Sequence, residues 1–346
     1  MHFSKKRTAN PPSGHRSPAS GASMATSSPT LGLVVIGRNE GERLRRCLRS
    51  IDCGSALVVY VDSGSSDGSV ALARSMGAEV VELDTATRFT AARARNAGWM
   101  RLIALAPGVD AIQFVDGDCE IEAGWLESAA GFLAANPKAA VVCGRRRERF
   151  PELSRYNAMC DAEWNTPLGR ALSCGGDAMM RTTALAEVGG FNPAIVAGEE
   201  PELCRRLRER GWSVWRIGAP MTIHDAAIRK FGQWWVRATR SGFGYAQTYA
   251  ATRGTRPLYG RELVRAAFWG GGLPAAVLFA CVAGRPLAAG LLAAGWIAQG
   301  LRLALRYGLS RGALMMVAKP AELVGALAWV RQQAFAGARP RSFVYK

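Results

Sequence analysis

Two aspartates one residue apart are the most distinctive chemical feature of this chain. Asp116 and Asp118 follow the apolar run 112–115, which is typical of a buried strand. Because residues i and i+2 of a strand point to the same side, both carboxylates are expected to face one point beyond the carboxyl end of that strand, where open α/β sheets bind ligands. Such a pair suits a hard divalent cation that is shared with diphosphate oxygens. The alternative is an Asp-Gly turn in which Asp118 caps the next helix.

Acidic residues occupy comparable places elsewhere in the chain. Asp62 ends the apolar run 57–61 and opens a Gly- and Ser-rich loop at 63–68, whose backbone can approach a ligand closely. This loop lacks both the G-x-G-x-x-G pattern and a Walker lysine, so a dinucleotide fingerprint and a P-loop are not supported. Glu199 and Glu200 open a predicted helix that ends at Gly211. The alternative for these two glutamates is simple stabilisation of a helix N-terminus.

The elements that must position these residues alternate along the chain. Apolar runs at 31–36, 57–61, 78–83, 111–115 and 139–143 predict strands, and segments of helical period lie between them. A further strand is predicted at 178–180, before helices at 182–188 and 200–211. This alternation predicts an α/β fold with a mostly parallel sheet flanked by helices.

The composition limits the partners and the compartment. The 346 residues carry a net charge of +17, which favours anionic partners. No zinc-finger, basic-zipper or RNA-recognition pattern is present, so nucleic acid is not expected as a partner. The eight cysteines form no C-x-x-C pair and only three histidines occur, which argues against a zinc site or a disulfide framework. Scattered thiols are typical of a reducing compartment.

The last third of the chain is predicted to be helical and membrane-associated. Residues 266–284 and 286–301 carry no charge, and only Arg285 separates them, whereas a third apolar segment, 312–330, contains Lys319, Pro320 and Glu322. Runs of about 20 apolar residues can cross a bilayer. Arginines on both flanks predict a hairpin whose ends lie on the cytoplasmic side. The alternative is a soluble helical appendage. Truncation before about Arg261 is expected to leave a soluble protein whose ligand site is intact.

The remaining divisions of the chain follow from composition. Residues 1–29 are rich in Ser, Pro, Ala, Gly and Thr and are predicted to form a disordered tail. The basic residues near the start are not followed by an apolar segment, so a secretory signal is not expected, and Met24 is an alternative start. We therefore predict a tail at 1–29, a catalytic domain at 30–250 and a hydrophobic helical region at 251–346.

Several segments, taken in order, resemble family 2 glycosyltransferases of the GT-A fold. They are Val-Val-Ile-Gly-Arg-Asn-Glu at 34–40, Val-Asp-Ser-Gly-Ser-Ser-Asp-Gly at 61–68, Ala-Arg-Asn-Ala-Gly at 94–98, Asp-Gly-Asp at 116–118, Gly-Gly-Phe at 189–191 and Gly-Glu-Glu-Pro-Glu-Leu at 198–203. The resemblance covers residues 31 to about 235 and implies a GT-A nucleotide-diphospho-sugar transferase fold.

The resemblance also implies a nucleotide-sugar site. The loop after the first strand, with Arg38 and Glu40, and Asp62 would hold the nucleotide base and ribose. Asp116 and Asp118 match the D-x-D pair that binds the diphosphate and Mg²⁺ or Mn²⁺. Arg95, like Arg237, is a planar donor suited to phosphate, with a solvated role as the alternative.

The same resemblance assigns a catalytic base, and the local sequence offers a further candidate metal ligand. Glu200 matches the position of the family's general base, which deprotonates the acceptor hydroxyl during inverting attack. The family's usual Glu-Asp pair is Glu-Glu here, so Glu199 stays a second candidate. His224 follows a predicted strand and is expected to complete the metal shell or to contact the diphosphate, with a structural histidine as the alternative.

These observations predict an inverting, metal-dependent glycosyltransferase at the cytoplasmic face of the inner membrane. Its expected partners are a nucleotide-sugar donor, the membrane, and a saccharide or lipid-linked acceptor used in surface polysaccharide synthesis. Two alternatives remain open. One is transfer to polyprenyl phosphate, for which basic residues near a bilayer would suit an anionic acceptor. The other is a membrane scaffold with a dead transferase fold.

Overall fold

A computed structural model describes residues 30–51 and 56–335. The predicted tail at 1–29 and the alternative start at Met24 lie outside the described residues. Within those residues, strands and helices alternate from β1 (Leu31–Gly37) to β4 (Ala111–Asp116) as the apolar periodicity predicts, and a block of helices ends the described chain. The α/β fold with a mostly parallel sheet is therefore confirmed.

The described residues form one sheet of nine strands in the spatial order β3-β2-β1-β4-β8-β6-β9-β5, and β7 pairs with β9. The strands are β1 (Leu31–Gly37), β2 (Leu57–Asp62), β3 (Glu79–Glu82), β4 (Ala111–Asp116), β5 (Cys119–Ile121), β6 (Ala139–Glu148), β7 (Gly169–Ala171), β8 (Ala178–Arg181) and β9 (Ser213–His224). The pairs β1–β2, β1–β4, β2–β3 and β6–β9 are parallel. The carboxyl ends of β1, β2 and β4 therefore meet at one edge, which is where open α/β sheets bind ligands.

Two strands differ from the sequence prediction in a way that matters for the site. β6 does not end at residue 143 but continues through the arginines 145–147 to Glu148, because it pairs along this length with β9. β4 ends at Asp116, and a two-residue turn, Gly117–Asp118, leads into the short strand β5. Asp118 is therefore in a turn, as the Asp-Gly alternative expects, but the element that follows is a strand and not a helix.

Seven helices among the described residues precede the hydrophobic region. They are α1 (Glu42–Arg49), α2 (Ser69–Ser75), α3 (Ala91–Leu105), α4 (Trp125–Ala135), α5 (Arg155–Trp164), α6 (Thr182–Glu187) and α7 (Glu199–Glu209). Their apolar residues and the strands form one core, in which Val34, Tyr60 and Phe114 are completely buried. This core fixes the sheet edge from which the polar residues project.

Five helices complete the described chain: α8 (Phe231–Thr252), α9 (Gly260–Ala267), α10 (Leu273–Val282), α11 (Pro286–Tyr307) and α12 (Leu309–Ala334), with a π-helical turn at Phe268–Gly272. Three continuous helical segments are long and apolar enough to cross a membrane: Gly260–Val282, Pro286–Tyr307 and Leu309–Ala334. The first two are mostly unburied, as the side chains of Leu278 and Leu287 illustrate. Such surfaces need lipid or another apolar partner, which supports membrane association.

Helix α12 packs against helices α5 and α8, a contact that the sequence does not predict. Its residues Leu314 and Ala321 join Trp234 and Ala238 of α8 and Met159 of α5 in a second apolar core. Truncation before Arg261 would remove α12 and expose this core to water, so the expectation of a soluble truncated protein is not supported. The domain division at residue 250, which falls inside α8, stays a prediction.

Candidate active site

One cavity opens at the carboxyl ends of the central strands. Its volume is about 890 Å³, within the range of small-molecule sites. Most of the predicted site residues line it, namely Arg38, Glu40, Arg95, Asp116, Asp118, Glu199, Glu200 and His224. The sequence therefore predicts the membership of this cavity well, although the contacts of individual side chains differ from those expected.

The carboxylate of Asp62 stabilises the loop after β2 through hydrogen bonds. Its carboxylate accepts hydrogen bonds from the backbone N–H groups of Gly64 and Ser65 at 2.8 and 2.7 Å, and from the Tyr60 hydroxyl at 3.0 Å. Asp62 is buried, while the neighbouring Ser63 lines the cavity. In this structure Asp62 shapes the loop, and its predicted contact with the nucleotide stays a prediction.

The loop after β1 places the positively charged side chain of Arg38 in the lining of the cavity. The guanidinium of Arg38 lies over the ring of Phe89, 5.4 Å from its centroid. Its Nε atom is buried and has no hydrogen-bond partner among the described residues. Glu40 forms an ion pair with Arg43 at 2.5 Å, so its carboxylate already has a partner within the protein. Arg38 is therefore the residue of this loop with a donor available for a ligand.

Arg95 is the centre of a buried ion cluster and not a free donor for phosphate. Its Nη2 lies 2.9 Å from Asp116 Oδ1, and its Nη1 lies 2.8 Å from Glu199 Oε1 and 3.2 Å from Glu200 Oε1. Gly176 permits this packing, since a Cβ at that position would lie 2.2 Å from Arg95 Nη2. The guanidinium thus joins the D-x-D segment to the start of α7 inside the protein.

Asp116 is further enclosed by two residues that the sequence analysis does not identify. Its Oδ2 lies 3.7 Å from Arg146 Nη2, and its backbone N–H donates to Asp177 Oδ1 at 3.0 Å. Burial, together with the negative charge of Asp177, raises the pKa of Asp116 above its ordinary value, and Arg95 and Arg146 oppose this rise. Asp116 therefore lines the cavity with a carboxylate that is already engaged by arginines.

Asp118 faces a different neighbour, His224. Residues 119 and 224 are paired in the β5–β9 ladder, which brings Asp118 Oδ2 to 3.4 Å from His224 Nε2. Burial lowers the pKa of His224, but the Asp118 and Glu148 carboxylates outweigh this effect and raise it. A carboxylate and an imidazole that face a cavity together are common ligands of transition-metal ions.

Two clusters of potential ligand atoms have the spacing of a metal site, each within 4.8 Å: Asp118 with Cys119 and His224, and Asp116 with Cys119 and Asp177. Burial raises the pKa of Cys119 well above its ordinary value, so its thiol stays protonated and is a poor ligand. Asp177 already accepts a hydrogen bond from Thr222 at 2.8 Å. Asp118 and His224 are therefore the residues that fit a divalent cation best.

Glu199 and Glu200 begin helix α7 and also line the cavity. Gly198 caps this helix with φ +92°, a backbone conformation that favours glycine. Glu199 is the more deeply buried of the two, with a side chain 6% exposed against 16% for Glu200. Glu200 is thus the more accessible carboxylate of the two, and its role as the base stays a prediction.

The position of Glu200 at the start of a helix would, by itself, keep its carboxylate ionised at neutral pH. Instead, burial and the adjacent Glu199 carboxylate raise the pKa of Glu200 to about 8, and the positive charge of Arg95 only partly opposes the rise. The carboxyl of Glu200 is therefore mostly protonated at pH 7 in the unliganded protein.

Four residues in or next to the cavity were not identified by the sequence analysis, and two of them, Arg146 and Asp177, carry a signal in their local sequence. Arg146 is the middle residue of the Arg145–Arg147 run, so in a strand its side chain projects opposite to those of its two neighbours. Asp177 follows two glycines directly before a predicted strand. Phe89 and Trp164 also line the cavity, but they lie at the edges of helices, and nothing in their local sequence marks them. Arg237 also lines the cavity and is paired with Glu163 at 2.8 Å.

Comparison with known proteins identifies the class to which this fold and site belong. Residues 33–184 match the model of Glycosyl transferase family 2. The resemblance found in the sequence is therefore confirmed over these residues.

Curated relatives agree with this class. The chain is 27% identical over 215 residues to the pre-mycofactocin glycosyltransferase of Mycobacterium tuberculosis (strain CDC 1551 / Oshkosh), a match that covers 56% of this chain and 42% of that protein. It is 26% identical over 221 residues to the succinoglycan biosynthesis protein ExoA of Rhizobium meliloti (strain 1021), covering 60% of this chain and 62% of that protein. The chain thus spans less than two thirds of the length of these relatives.

A solved structure shows the same fold. The mannosyltransferase PcManGT from Pyrobaculum calidifontis, in complex with GDP-Man and Mn²⁺, superposes with a TM-score of 0.60 at 21% identity and with 88% coverage of both chains. The predicted GT-A fold is therefore confirmed for this protein.

Proposed function

We propose that this protein transfers a sugar from a nucleoside-diphosphate sugar to a hydroxyl acceptor, with inversion at the anomeric carbon and with the help of a divalent cation. One observation carries the proposal. A single cavity presents Asp118 and His224 on one wall and Glu200 on another, on a family 2 glycosyltransferase region. A carboxylate base and a cation site around one cavity are what in-line displacement of a diphosphate requires.

The donor would occupy the side of the cavity formed by the loops after β1 and β2. Arg38 offers its unpaired Nε–H to a phosphate or a base, and Phe89 beside it offers an apolar face. Asp118 and His224 would hold Mg²⁺ or Mn²⁺, which when bound neutralises charge on the departing nucleoside diphosphate. The GDP-Man and Mn²⁺ bound by PcManGT are consistent with such a donor and cation.

Glu200 would act as the general base. It must lose its proton before it can accept one from the acceptor hydroxyl, and its pKa of about 8 makes it a strong base once it is ionised. Arg95 holds the carboxylate in place by a charge-assisted hydrogen bond of 3.2 Å. Glu199, which is more buried and lies closer to Arg95, would position the cluster.

The acceptor would enter from the side of α8. Arg237, Arg240 and Ser241 of this helix line the cavity, and α8 packs against the apolar helix α12. We infer that the acceptor is a lipid-linked saccharide for surface polysaccharide and that the reaction takes place at the cytoplasmic face of the inner membrane. The similarity to a succinoglycan biosynthesis protein and the three apolar helices support this inference. The two arginines of α8 favour one further candidate, an acceptor that is itself a polyprenyl phosphate.

A donor and acceptor panel tests the proposal. The full chain in detergent is mixed with UDP- or GDP-sugars, with Mn²⁺, Mg²⁺ or a chelator, and with either lipid-linked saccharides or polyprenyl phosphate. We expect release of the nucleoside diphosphate and formation of glycosylated lipid for at least one pair, and only when a cation is present. A scaffold with a dead transferase fold would release nothing with any pair.

A further inference from the structure

Glu148 lies behind His224, on the side of the imidazole ring away from Asp118. It is the last residue of β6 and is paired in register with His224, the last residue of β9. Its side chain is completely buried, and its Oε2 lies 3.6 Å from His224 Nδ1. The imidazole is thus placed between two carboxylates, with Asp118 beside its cavity-facing nitrogen Nε2 at 3.4 Å.

The Glu148 carboxylate is held in place by three other donors. Its Oε1 accepts from the side-chain amide of Asn157 at 3.1 Å and from the backbone N–H of Phe150 at 3.3 Å. Its Oε2 accepts from the backbone N–H of Ala226 at 3.1 Å. A buried carboxylate is stable only with such partners. They also fix the oxygen that faces the histidine.

The imidazole of His224 is oriented but lacks one partner. The ring of Trp164 packs edge-on against it, with centroids 4.8 Å apart and an interplanar angle of 83°. The Nδ1 atom is buried and makes no hydrogen bond within normal limits to any described residue. Because buried N–H groups are nearly always paired, a small tilt of the ring toward Glu148 Oε2 is the simplest way to satisfy Nδ1.

We propose that Glu148 is the positioning residue of the cation site, which accepts a hydrogen bond from His224 Nδ1–H and so leaves Nε2 unprotonated toward the cavity. This proposal rests on the proposed function, because it assumes that Asp118 and His224 hold a divalent cation. A metal-bound histidine commonly donates its other N–H to a carboxylate, which fixes the tautomer and the ring orientation.

A purely structural role for Glu148 makes a different prediction. In that role the carboxylate only ties β6 to helix α5 and to the segment 226–228. Asn157 belongs to the same network, because it also accepts from the backbone N–H of Ile228 at 3.1 Å and donates to the Phe150 carbonyl at 3.0 Å. Asn157→Ala therefore disturbs the network without removing the group that faces the imidazole, and it serves as the matched control.

The test is the affinity for Mn²⁺ alone, measured by the electron paramagnetic resonance signal of free Mn²⁺, together with the melting temperature of each full-length variant in detergent. We expect Glu148→Gln to weaken Mn²⁺ binding by about 10- to 100-fold. Asn157→Ala should lower the melting temperature at least as much and leave the Mn²⁺ affinity near that of the wild type. In a His224→Ala background, Glu148→Gln should cause no further loss, because the two residues act through one contact.

Several results would overturn the proposal. Wild-type Mn²⁺ affinity in Glu148→Gln, or losses in Glu148→Gln and Asn157→Ala that simply follow their melting temperatures, would show that Glu148 is structural. If Glu148→Gln does not fold, Glu148→Asp, which keeps the charge but has a shorter reach, must show the same loss of affinity. A wild-type protein that binds no Mn²⁺ would contradict the cation site of the proposed function itself, and with it this inference.

Discussion

The guanidinium of Arg95 lies 3.2 Å from the carboxylate of Glu200, although 105 residues separate them in the chain. The other Nη atom of the same guanidinium bonds to Asp116 at 2.9 Å. Arg95 therefore connects the residue expected to remove a proton from the acceptor with the segment expected to bind the donor diphosphate. A change in charge on one side of the cavity is felt on the other through this side chain.

We expect Arg95→Met to destabilise the protein by about 3–5 kcal/mol, because it leaves the buried Glu199 carboxylate and the partly buried Asp116 carboxylate without their shared cation. Arg101→Met is the matched control on the same helix. Its ion pair with Glu79 is exposed, so the loss should be about 0–1 kcal/mol. Chemical denaturation of both variants in detergent measures the difference. Equal stabilities would show that Arg95 is not the centre of the cluster.

Asp118→Ala should abolish transfer and the metal-dependent part of donor binding while the fold survives. Asp118 lies in a partly buried turn beside His224 and lines the cavity, so its loss removes a cation ligand and little packing. Asp84→Ala, which removes an exposed loop carboxylate, is the control and should keep full activity. Turnover and donor affinity with and without Mn²⁺ provide the readout. Wild-type turnover of Asp118→Ala in Mn²⁺ would refute the assignment of the ligand.

Glu200→Gln should still bind the nucleotide sugar but should transfer it about 10²- to 10⁴-fold more slowly, the usual share of general base catalysis. Glu199→Gln should have a smaller effect on the transfer rate, because that side chain is more buried and is bound to Arg95 at 2.8 Å. Donor affinity and single-turnover rates for both variants separate the two roles. If only Glu199→Gln loses transfer, the base is Glu199. If both keep full rates, the base lies elsewhere.

The transfer rate should rise with pH across the neutral range. Burial raises the pKa of Glu200 to about 8, so below that pH the carboxyl carries the proton that a base must lack. The rate should fall about tenfold per pH unit well below this value and level off above it. The measurement is the pH profile of single-turnover transfer at saturating donor. The rise of the rate with pH should be absent in Glu200→Gln. If the pH profile of that variant is unchanged, the rise reports the titration of another group.

Leu314→Ala should cost about 2–5 kcal/mol of stability, because Leu314 of α12 is buried against α8 beside Trp234. Leu287→Ala, at an exposed position of α11, should change stability by no more than about 0.5 kcal/mol in detergent. Unfolding curves of the two full-length variants test whether α12 belongs to the core of the catalytic part. Equal stabilities would favour a separable membrane region, which is the division predicted from the sequence.

The sequence predicts the fold and most residues of the site. It does not predict which side chains of the site contact one another. Alternating apolar runs place Asp116 and Asp118 correctly at the sheet edge, since the end of each strand follows from local periodicity. The reason given for their common direction was wrong, because β4 ends at Asp116 and Asp118 lies in a turn. The Arg95 cluster depends on helices that approach one another in space, and no local pattern reports such contacts.

The pKa of Glu200 was unpredictable for the same reason. A helix start stabilises a negative charge, but burial next to Glu199 outweighs that effect, and burial depends on the packing of the whole cavity. Similarly, the apolar character of α12 was evident in the sequence, whereas its contact with α8 was not. Composition alone cannot distinguish a face that packs on protein from one that meets lipid.

The anomeric configuration of the product, determined by NMR for wild type and Glu200→Gln with Mn²⁺ or with a chelator, tests the central claim most directly. We expect a product of inverted configuration, formed by the wild type only when the cation is present and almost lost in Glu200→Gln. A product that retains the donor configuration, or full transfer by the wild type in the presence of the chelator, would contradict that claim.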